Sequence, residues 1–451
     1  MITSDTYSLI VGMGATGLSI ARYLSKRGER FCLFDTRSDA ALAKQFTIEF
    51  PAVNQYFATL GDDVIASAKE LVLSPGVSRE ENIVVKALQY GKPVIGDIEL
   101  FLREAKAPVI GITGSNGKST VTTLLGLIAK SCGLNVGVGG NIGIPALELL
   151  DASFALYILE LSSFQLESTS SPHLEVACVL NISPDHMDRY NTLADYVTAK
   201  QRIFWGAKHV VYSLDDPLTR PPIAKGVERY GFGFPHGAEL EETAYTFSPE
   251  TGWLLCGGDR LIQKDDIKIK GLHNIRNALA CFAICDAAGI RRAACCDVLQ
   301  RFTGLPHRCE WVTERNGVTF INDSKATNVG AAEAAIRGLA PEYNGIILIA
   351  GGDGKGASFS ELGKNINACV RVLVLIGTDA QKIAGSVAEH VKICFASTME
   401  SAVQVAESCA EYGDVILLAP ACASFDMFAN FEERGQMFVD AVMSGKTKEA
   451  V

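Results

Sequence analysis

The sequence predicts an α/β protein of three successive units: a Rossmann-like N-terminal domain, a central P-loop ATPase-type domain and a Rossmann-like C-terminal domain. Three observations predict it. Short apolar runs alternate with helical stretches from one end of the chain to the other. Runs such as Ile346-Ile347-Leu348-Ile349 are apolar at every position, the pattern of a strand covered on both faces of a parallel sheet. Glycine is abundant, 42 of 451 residues against 15 prolines, which suits many strand-to-helix turns and rules out collagen-like or low-complexity structure.

The first unit, residues 1–95, takes its strands from residues 8–14, 30–35 and 70–76. Gly12-Met13-Gly14-Ala15-Thr16-Gly17 follows a strand and opens a helix, and Asp35 closes the next strand 18 residues beyond Gly17. The spacing meets the dinucleotide fingerprint: the glycines permit a tight turn, and the helix N-terminus offers amide donors to a diphosphate. On these residues alone the ligand stays open between NAD(P), another diphosphate and a plain turn. Asp35-Thr36-Arg37 suits a ribose, a phosphate or a base without choosing among them. A break near residues 91–97 and a polar helical connector, residues 98–106, lead onward.

The central unit, residues 96–304, has strands at 108–114, 154–162, 176–183 and 209–213. Gly111-Ile112-Thr113-Gly114-Ser115-Asn116-Gly117-Lys118-Ser119-Thr120 lies between a buried strand and a helix at 121–131. Ile112 stands where a strict Walker A has glycine, but the working parts remain. Gly114 and Gly117 let backbone amides face phosphates, Lys118 brings a point charge, and Ser119 offers a hydroxyl to Mg²⁺. Glu160 ends one strand, and Asn181-Ile182-Ser183-Pro184-Asp185-His186-Met187-Asp188 follows another. Strand C-termini converge on the ligand edge of a parallel sheet, so Glu160 and His186 are candidates for a second Mg²⁺. Taken alone, His186 reads as a capping or core histidine. Lys200, on a helix at 194–205, reads on physics alone as a solvated charge. Residues 214–270 are polar and turn-rich, an antiparallel edge or an insertion.

The third unit, residues 305–451, has strands at 317–324, 345–352, 371–377 and 414–421. Asp323-Ser324-Lys325-Ala326-Thr327-Asn328, Gly351-Gly352-Asp353-Gly354-Lys355 and Ala421-Cys422-Ala423-Ser424-Phe425 sit at or just after such strands. Each is ordinary turn chemistry by itself. Together, cations, hydroxyls and amides on successive strand ends suit a small anionic substrate.

Charge and cysteine usage exclude several classes. A net charge of −10 argues against a general binder of nucleic acid or anionic membrane. No apolar run reaches the roughly 18 residues of a membrane span, and the N-terminus lacks the basic start of a secretory signal. The 13 cysteines are scattered, with no CxxC and no zinc spacing, as expected of reduced thiols in a cytoplasmic protein.

In combination the motifs resemble the Mur ligases, the ATP-dependent amide ligases of peptidoglycan precursor synthesis. The likeness rests on residues 12–17 with Asp35-Thr36-Arg37, on residues 73–77, 113–120, 139–143, 160–166 and 181–190, and on Gly271-Leu272-His273-Asn274-Ile275-Arg276-Asn277. It continues through Leu305-Pro306-His307-Arg308 and residues 323–328, 351–355 and 420–425, in order along essentially the whole chain. The early glycine loop and residues 323–328 resemble the branch of the family that adds D-glutamate.

The resemblance implies the following. UDP-N-acetylmuramoyl-L-alanine is held by Gly14, Ala15, Thr16, Asp35, Thr36, Arg37, Ser74 and Gly76 of the first unit with Asn141 and His186 of the central one, so the early glycine loop serves UDP and not NAD. ATP binds at Gly114, Ser115, Asn116, Gly117, Lys118, Ser119 and Thr120, with Asn277, Arg308 and Asp323. D-Glutamate meets Thr327, Lys355, Ser424 and Phe431. Two Mg²⁺ ions are held by Ser119, Glu160, His186 and a carbamylated Lys200. The reaction passes through an acyl phosphate, with Lys118, Glu160, His186 and Lys200 as its catalytic set and His186 a candidate base for the amine. The partners are small molecules, with no nucleic acid and no membrane insertion, and the chain acts as a cytoplasmic monomer.

Three other readings compete. An NAD-dependent dehydrogenase would leave Lys118 without a role. A folylpolyglutamate synthetase lacks the early glycine loop, and a sister Mur ligase lacks the 323–328 pattern. A nonenzymatic nucleotide-binding regulator fits poorly with intact Lys118, Glu160, His186 and Lys355.

Overall fold

The protein is described by a computed structural model covering residues 6–37, 44–187, 189–222, 226–234, 244–269 and 271–444. The first sheet is wholly parallel. It comprises β1 (Tyr7–Val11), β2 (Phe31–Asp35), β3 (Gln55–Phe57), β4 (Ala68–Leu73) and β5 (Val94–Gly96), in the order β3-β2-β1-β4-β5. The direction of winding reverses between β1 and β4, so the loops after them flank the crevice where doubly wound sheets bind ligands. Leu9, Val11, Leu71 and Leu73 pack one face of this sheet, and Ile10, Leu33 and Val72 the other.

The second sheet contains β6 (Val109–Thr113), β7 (Val136–Gly140), β8 (Leu156–Glu160), β9 (Val176–Val179), β10 (His209–Ser213), β11 (Glu228–Gly233) and β12 (Tyr245–Ser248). Their order is β12-β11-β10-β9-β6-β8-β7, with parallel pairing from β7 through to the β11–β12 pair. β6, which feeds the phosphate-type loop, is therefore central, with β8 and β9 as its two neighbours. β13 (Trp253–Cys256) and β14 (Asp259–Gln263) form an antiparallel hairpin across Gly257-Gly258, both at positive φ, the conformation a two-residue hairpin turn requires. The stretch read as an edge or insertion thus supplies two parallel strands and one hairpin.

The third sheet runs β15 (Glu310–Arg315), β16 (Val318–Asn322), β20 (Val415–Leu418), β17 (Ile346–Gly351), β18 (Val370–Ile376), β19 (Lys392–Phe395). Only β15 is antiparallel, joined to β16 through Asn316-Gly317 at φ 52° and 73°. Apolar clusters cover both faces, Leu348, Leu373 and Leu417 on one and Ile347, Val374 and Ile416 on the other. That is why the central strands β17 and β20 are apolar at every position.

The chain divides into two compact units. One holds Met1–Ile182, Arg189–Thr246 and Ala280–Cys295; the other holds Ser183–Asp188, Phe247–Leu279 and Cys296–Val451. Within the first unit the connector helix Asp97–Glu104 is not a polar linker. Ile98 and Phe101 are fully buried, and the Phe101 ring meets Tyr157 edge-on at 5.0 Å. Its acidic residues misled the sequence reading because they are buried too: Gln165 donates to Asp97, and the Ser170 and Ser171 amides donate to Glu99. No described helix is long and apolar enough to cross a membrane.

Candidate functional site

The loop after β6 is built by its neighbours. Gly114 and Gly117 adopt φ 153° and 82°, and a Cβ on Gly114 would press on Leu180 and the Asn181 backbone at 3.1–3.3 Å. Asn181, at the end of β9, clamps the turn. Its carbonyl accepts from the Ser115 N–H at 2.9 Å, its Oδ1 accepts from the Asn116 N–H at 2.9 Å, and its Nδ2 donates to the Asn116 carbonyl at 3.0 Å. The amides of Ser115 and Asn116 are therefore committed to loop shape. The first-turn amides of the helix Lys118–Ser131 are the orphan donors that a helix N-terminus presents to an anion.

Lys118 folds over the loop, Nζ donating to the carbonyls of Gly114 and Ser115 at 2.8 Å each. Ser119 Oγ donates to Glu160 Oε2 at 2.6 Å, and Asn141 Nδ2 donates to Glu160 Oε1 at 2.9 Å. Glu160 ends β8 and Asn141 follows β7, so two strand ends and the helix start meet at one carboxylate. Glu160 is only 3% exposed. Among the described residues no three His, Cys, Asp or Glu side chains cluster as a metal cage. One buried carboxylate beside a hydroxyl suits Mg²⁺, which keeps several waters and takes its remaining oxygens from bound phosphates.

Lys200 is 2% exposed, not a solvated helix charge. Its Nζ donates to the Gly114 carbonyl at 2.9 Å and lies 4.5 Å from the centre of the Tyr196 ring, whose hydroxyl meets Ser115 Oγ at 3.1 Å. The helix Leu193–Gln201 is fixed by a capping box between Thr192 and Asp195. Its inward face is thereby aimed at the loop, which periodicity alone did not reveal.

The glycine loop after β1 is equally tight. Gly12 has φ 100°, its carbonyl accepts from Ser74 Oγ at 2.9 Å, and a Cβ on Gly17 would lie 2.0 Å from that carbonyl oxygen. Gly17→Ala should destabilise the first unit by about 1–3 kcal/mol in urea unfolding. Gly14→Ala, where a Cβ meets nothing within 4 Å, should change stability by less than about 0.5 kcal/mol. Equal losses for the two would refute this packing account. Asp35 is turned inward: Oδ2 accepts from the Met13 N–H at 2.7 Å, and both oxygens accept from the Arg37 guanidinium at 2.9 Å. Hydrogen bonds from Arg37, with help from the Met13 amide, hold its carboxyl down at about 2. Asp35 thus organises the loop, with Ala15, Thr36 and Gly76 exposed at the rim and Thr16 half-buried. Arg189, which the sequence did not single out, donates to the carbonyls of Gly76 and Val77 and lies 4.3 Å over the Phe164 ring.

In the second unit, three adjacent parallel strands, β16, β20 and β17, deliver the remaining motifs to one sheet edge. The loops are laced together: the Ala421 N–H donates to the Ala326 carbonyl, Gly351 N–H to Pro420, and Asp353 pairs with Ala423. This gathers the segments bearing Thr327, Lys355 and Ser424. Lys355 is exposed, with φ 49°, while Ser424 is buried. Phe431 carries the Lys325 ammonium 3.9 Å above its ring centre. Beneath them lies Arg434, fully buried and unsuspected from the sequence. It donates to Ser324 Oγ and O at 3.0 and 2.8 Å, and to the carbonyls of Cys422 and Ala423 at 3.1 and 3.2 Å.

Asp323 accepts from the Cys309 N–H at 3.2 Å, and burial pushes its carboxyl up to about 6. Arg308 lies between His307 and Cys309, both at positive φ. Asn277 Nδ2 donates to Asn274 Oδ1 at 3.1 Å. His186, at φ 56°, belongs to this unit, its N–H donating to Asp185 Oδ1 at 2.9 Å.

Comparisons with known proteins agree along the chain. Residues 6–96 match the model of the Mur ligase MurD-like N-terminal domain, 112–285 the Mur ligase middle domain, and 307–422 the Mur ligase glutamate ligase domain. The chain is 54% identical to a UDP-N-acetylmuramoylalanine--D-glutamate ligase of Teredinibacter turnerae, over 98% of both chains. It is 47% identical to the protein of that name from Pseudomonas aeruginosa, over 98% of this chain and 99% of the other. Among solved structures it resembles the MurF ligase of Thermotoga maritima in complex with ADP, with TM-score 0.61 at 15% identity over 99% of this chain and 98% of that one.

Proposed function

The chain belongs to the Mur ligase family, and from that premise we propose that it joins D-glutamate to UDP-N-acetylmuramoyl-L-alanine, with ATP converted to ADP and phosphate. The observation that carries this reading is the near-full-length identity with ligases of that name. The chain acts as a monomer in the cytoplasm. Residues 1–95 take the UDP-substrate, 96–304 the ATP and 305–451 the D-glutamate.

Forming an amide from a carboxylate in water requires activation, and phosphoryl transfer from ATP supplies it. The first-turn amides after Gly117 and the Lys118 ammonium draw the γ-phosphate and the alanyl carboxylate together against their mutual repulsion. Ser119 and Glu160 hold Mg²⁺, which when bound neutralises phosphate charge. Asn141 keeps the Glu160 carboxylate oriented. Glu160, His186 and a carbamylated Lys200 hold a second ion, the carbamate replacing a repelling ammonium by an anion. Asn277, Arg308 and Asp323 attend the nucleotide. Lys355 meets a D-glutamate carboxylate while Thr327, Ser424 and Phe431 orient the rest of the molecule. His186 is the candidate acceptor of the amine proton.

The test is phosphate release from ATP with UDP-N-acetylmuramoyl-L-alanine, Mg²⁺ and a panel of amino acids. Release should require D-glutamate and give a product heavier by one glutamyl residue. Release with another amino acid would keep the reaction but overturn the assignment of the third domain. Release with none would overturn the reading.

A further inference from the structure

The second unit holds a cluster of nucleophilic side chains at the edge strand of its sheet, two strands beyond β17. Cys394 lies on the edge strand β19, and Cys409 ends the helix Met399–Cys409. Lys392 and Cys394 are two residues apart on the strand and project to the same face. Cys394 and Cys409 pack against one apolar cluster on that face. Lys392 Nζ stands 3.2 Å from Cys409 Sγ, Ser408 Oγ is 3.8 Å from the same sulfur, and Cys409 is a close enough neighbour to help raise the Cys394 thiol. Both cysteines are partly exposed, whereas Cys178, Cys281 and Cys422 are buried. We propose that Cys394 and Cys409 form a peroxide-responsive dithiol, in which Lys392 activates Cys409 and Cys394 resolves it.

The roles follow from the surroundings. A helix C-terminus disfavours an anion, so Cys409 needs the neighbouring ammonium to stabilise its thiolate. Cys409 in turn holds that ammonium above the ordinary lysine range. Burial pushes the Cys394 thiol up, which suits it to the second step. Cys409 sulfur attacks hydrogen peroxide: an S–O bond forms, the O–O bond breaks, and hydroxide leaves. Cys394 then attacks the sulfenic sulfur: the S–S bond forms, the S–O bond breaks, and water leaves. In sum two thiols and one peroxide give one disulfide and two waters, sulfur losing the two electrons that peroxide gains. The product ties β19 to the helix Met399–Cys409.

The full chain, treated with hydrogen peroxide and digested unreduced by a glutamate-specific protease, tests this. Fragments 390–400 and 408–411 should emerge joined, two hydrogens lighter than their sum, and separate on reduction. Cys394→Ser should leave a dimedone-reactive sulfenic acid at Cys409 and no joined pair. Lys392→Met should slow oxidation several-fold, because the ammonium 3.2 Å from Cys409 Sγ no longer stabilises the thiolate. Unchanged thermal unfolding of the reduced variants would show that they fold. Oxidation of other cysteines while this pair stays reduced would overturn the proposal. So would Lys392 joined to Cys409 with oxygen retained, or Lys392→Met reacting at the parent rate.

Discussion

Replacing Lys118 with methionine should lower kcat for phosphate release at least about 10³-fold, some 4 kcal/mol of transition-state stabilisation. The ammonium is the one side-chain cation on the loop that starts the helix Lys118–Ser131, and phosphoryl transfer depends mainly on charge neutralisation and positioning. Methionine keeps the stem but also forfeits the two hydrogen bonds to the Gly114 and Ser115 carbonyls, about 1 kcal/mol each. The Gly114 carbonyl keeps a second donor in Lys200 Nζ, so the thermal midpoint should fall by only a few degrees. Steady-state kinetics beside thermal unfolding checks both halves. A kcat within tenfold of the parent would refute the role. A collapsed fold would assign Lys118 to loop structure instead.

Arg434→Met should have the largest effect on the second unit. The side chain is fully buried and donates four hydrogen bonds, three of them to carbonyls of the two loops that carry Thr327 and Ser424. Removing the donor while the acceptors stay buried leaves them unsatisfied, at an expected cost of about 3–5 kcal/mol in urea unfolding. Burial has already pulled the guanidinium down to about 10, so the site tolerates a cation only because these carbonyls receive it. In protein that remains folded, KM for D-glutamate should rise at least tenfold with KM for ATP little changed, and Arg434→Lys should recover part of both losses. A variant with normal stability would overturn the packing argument. Equal changes in the two KM values would show that Arg434 does not act through these loops.

What was legible in the sequence follows from physics that acts over a few residues. Gly12, Gly114 and Gly117 stand where the backbone takes positive φ, and a glycine at such a place marks a turn whatever surrounds it. β17 and β18 were visible because burial on both faces leaves long apolar runs, unbroken in β17 and interrupted in β18 only by the half-buried Arg371 near its start. β7, whose run Val136–Gly140 holds three glycines, gave no such signal. The connector helix was found but its burial was not, because Asp97 and Glu99 take partners from residues about 70 positions away.

Near-neighbour patterns were enough to place the three α/β sheets, the loop that can cradle phosphate, and the strand ends from which Glu160, Thr327, Lys355 and Ser424 come. Which of these side chains are set by others depends on contacts between segments distant in the chain. The tertiary structure buried Lys200 against the Gly114 carbonyl, turned Asp35 inward onto Arg37, committed the Ser115 and Asn116 amides to Asn181, and seated Arg434 beneath two loops. The physical reason is that a strand or turn is encoded by near neighbours. The partner of a buried polar group is chosen by whatever the fold brings within about 3 Å of it, since leaving such a group unpaired is costly.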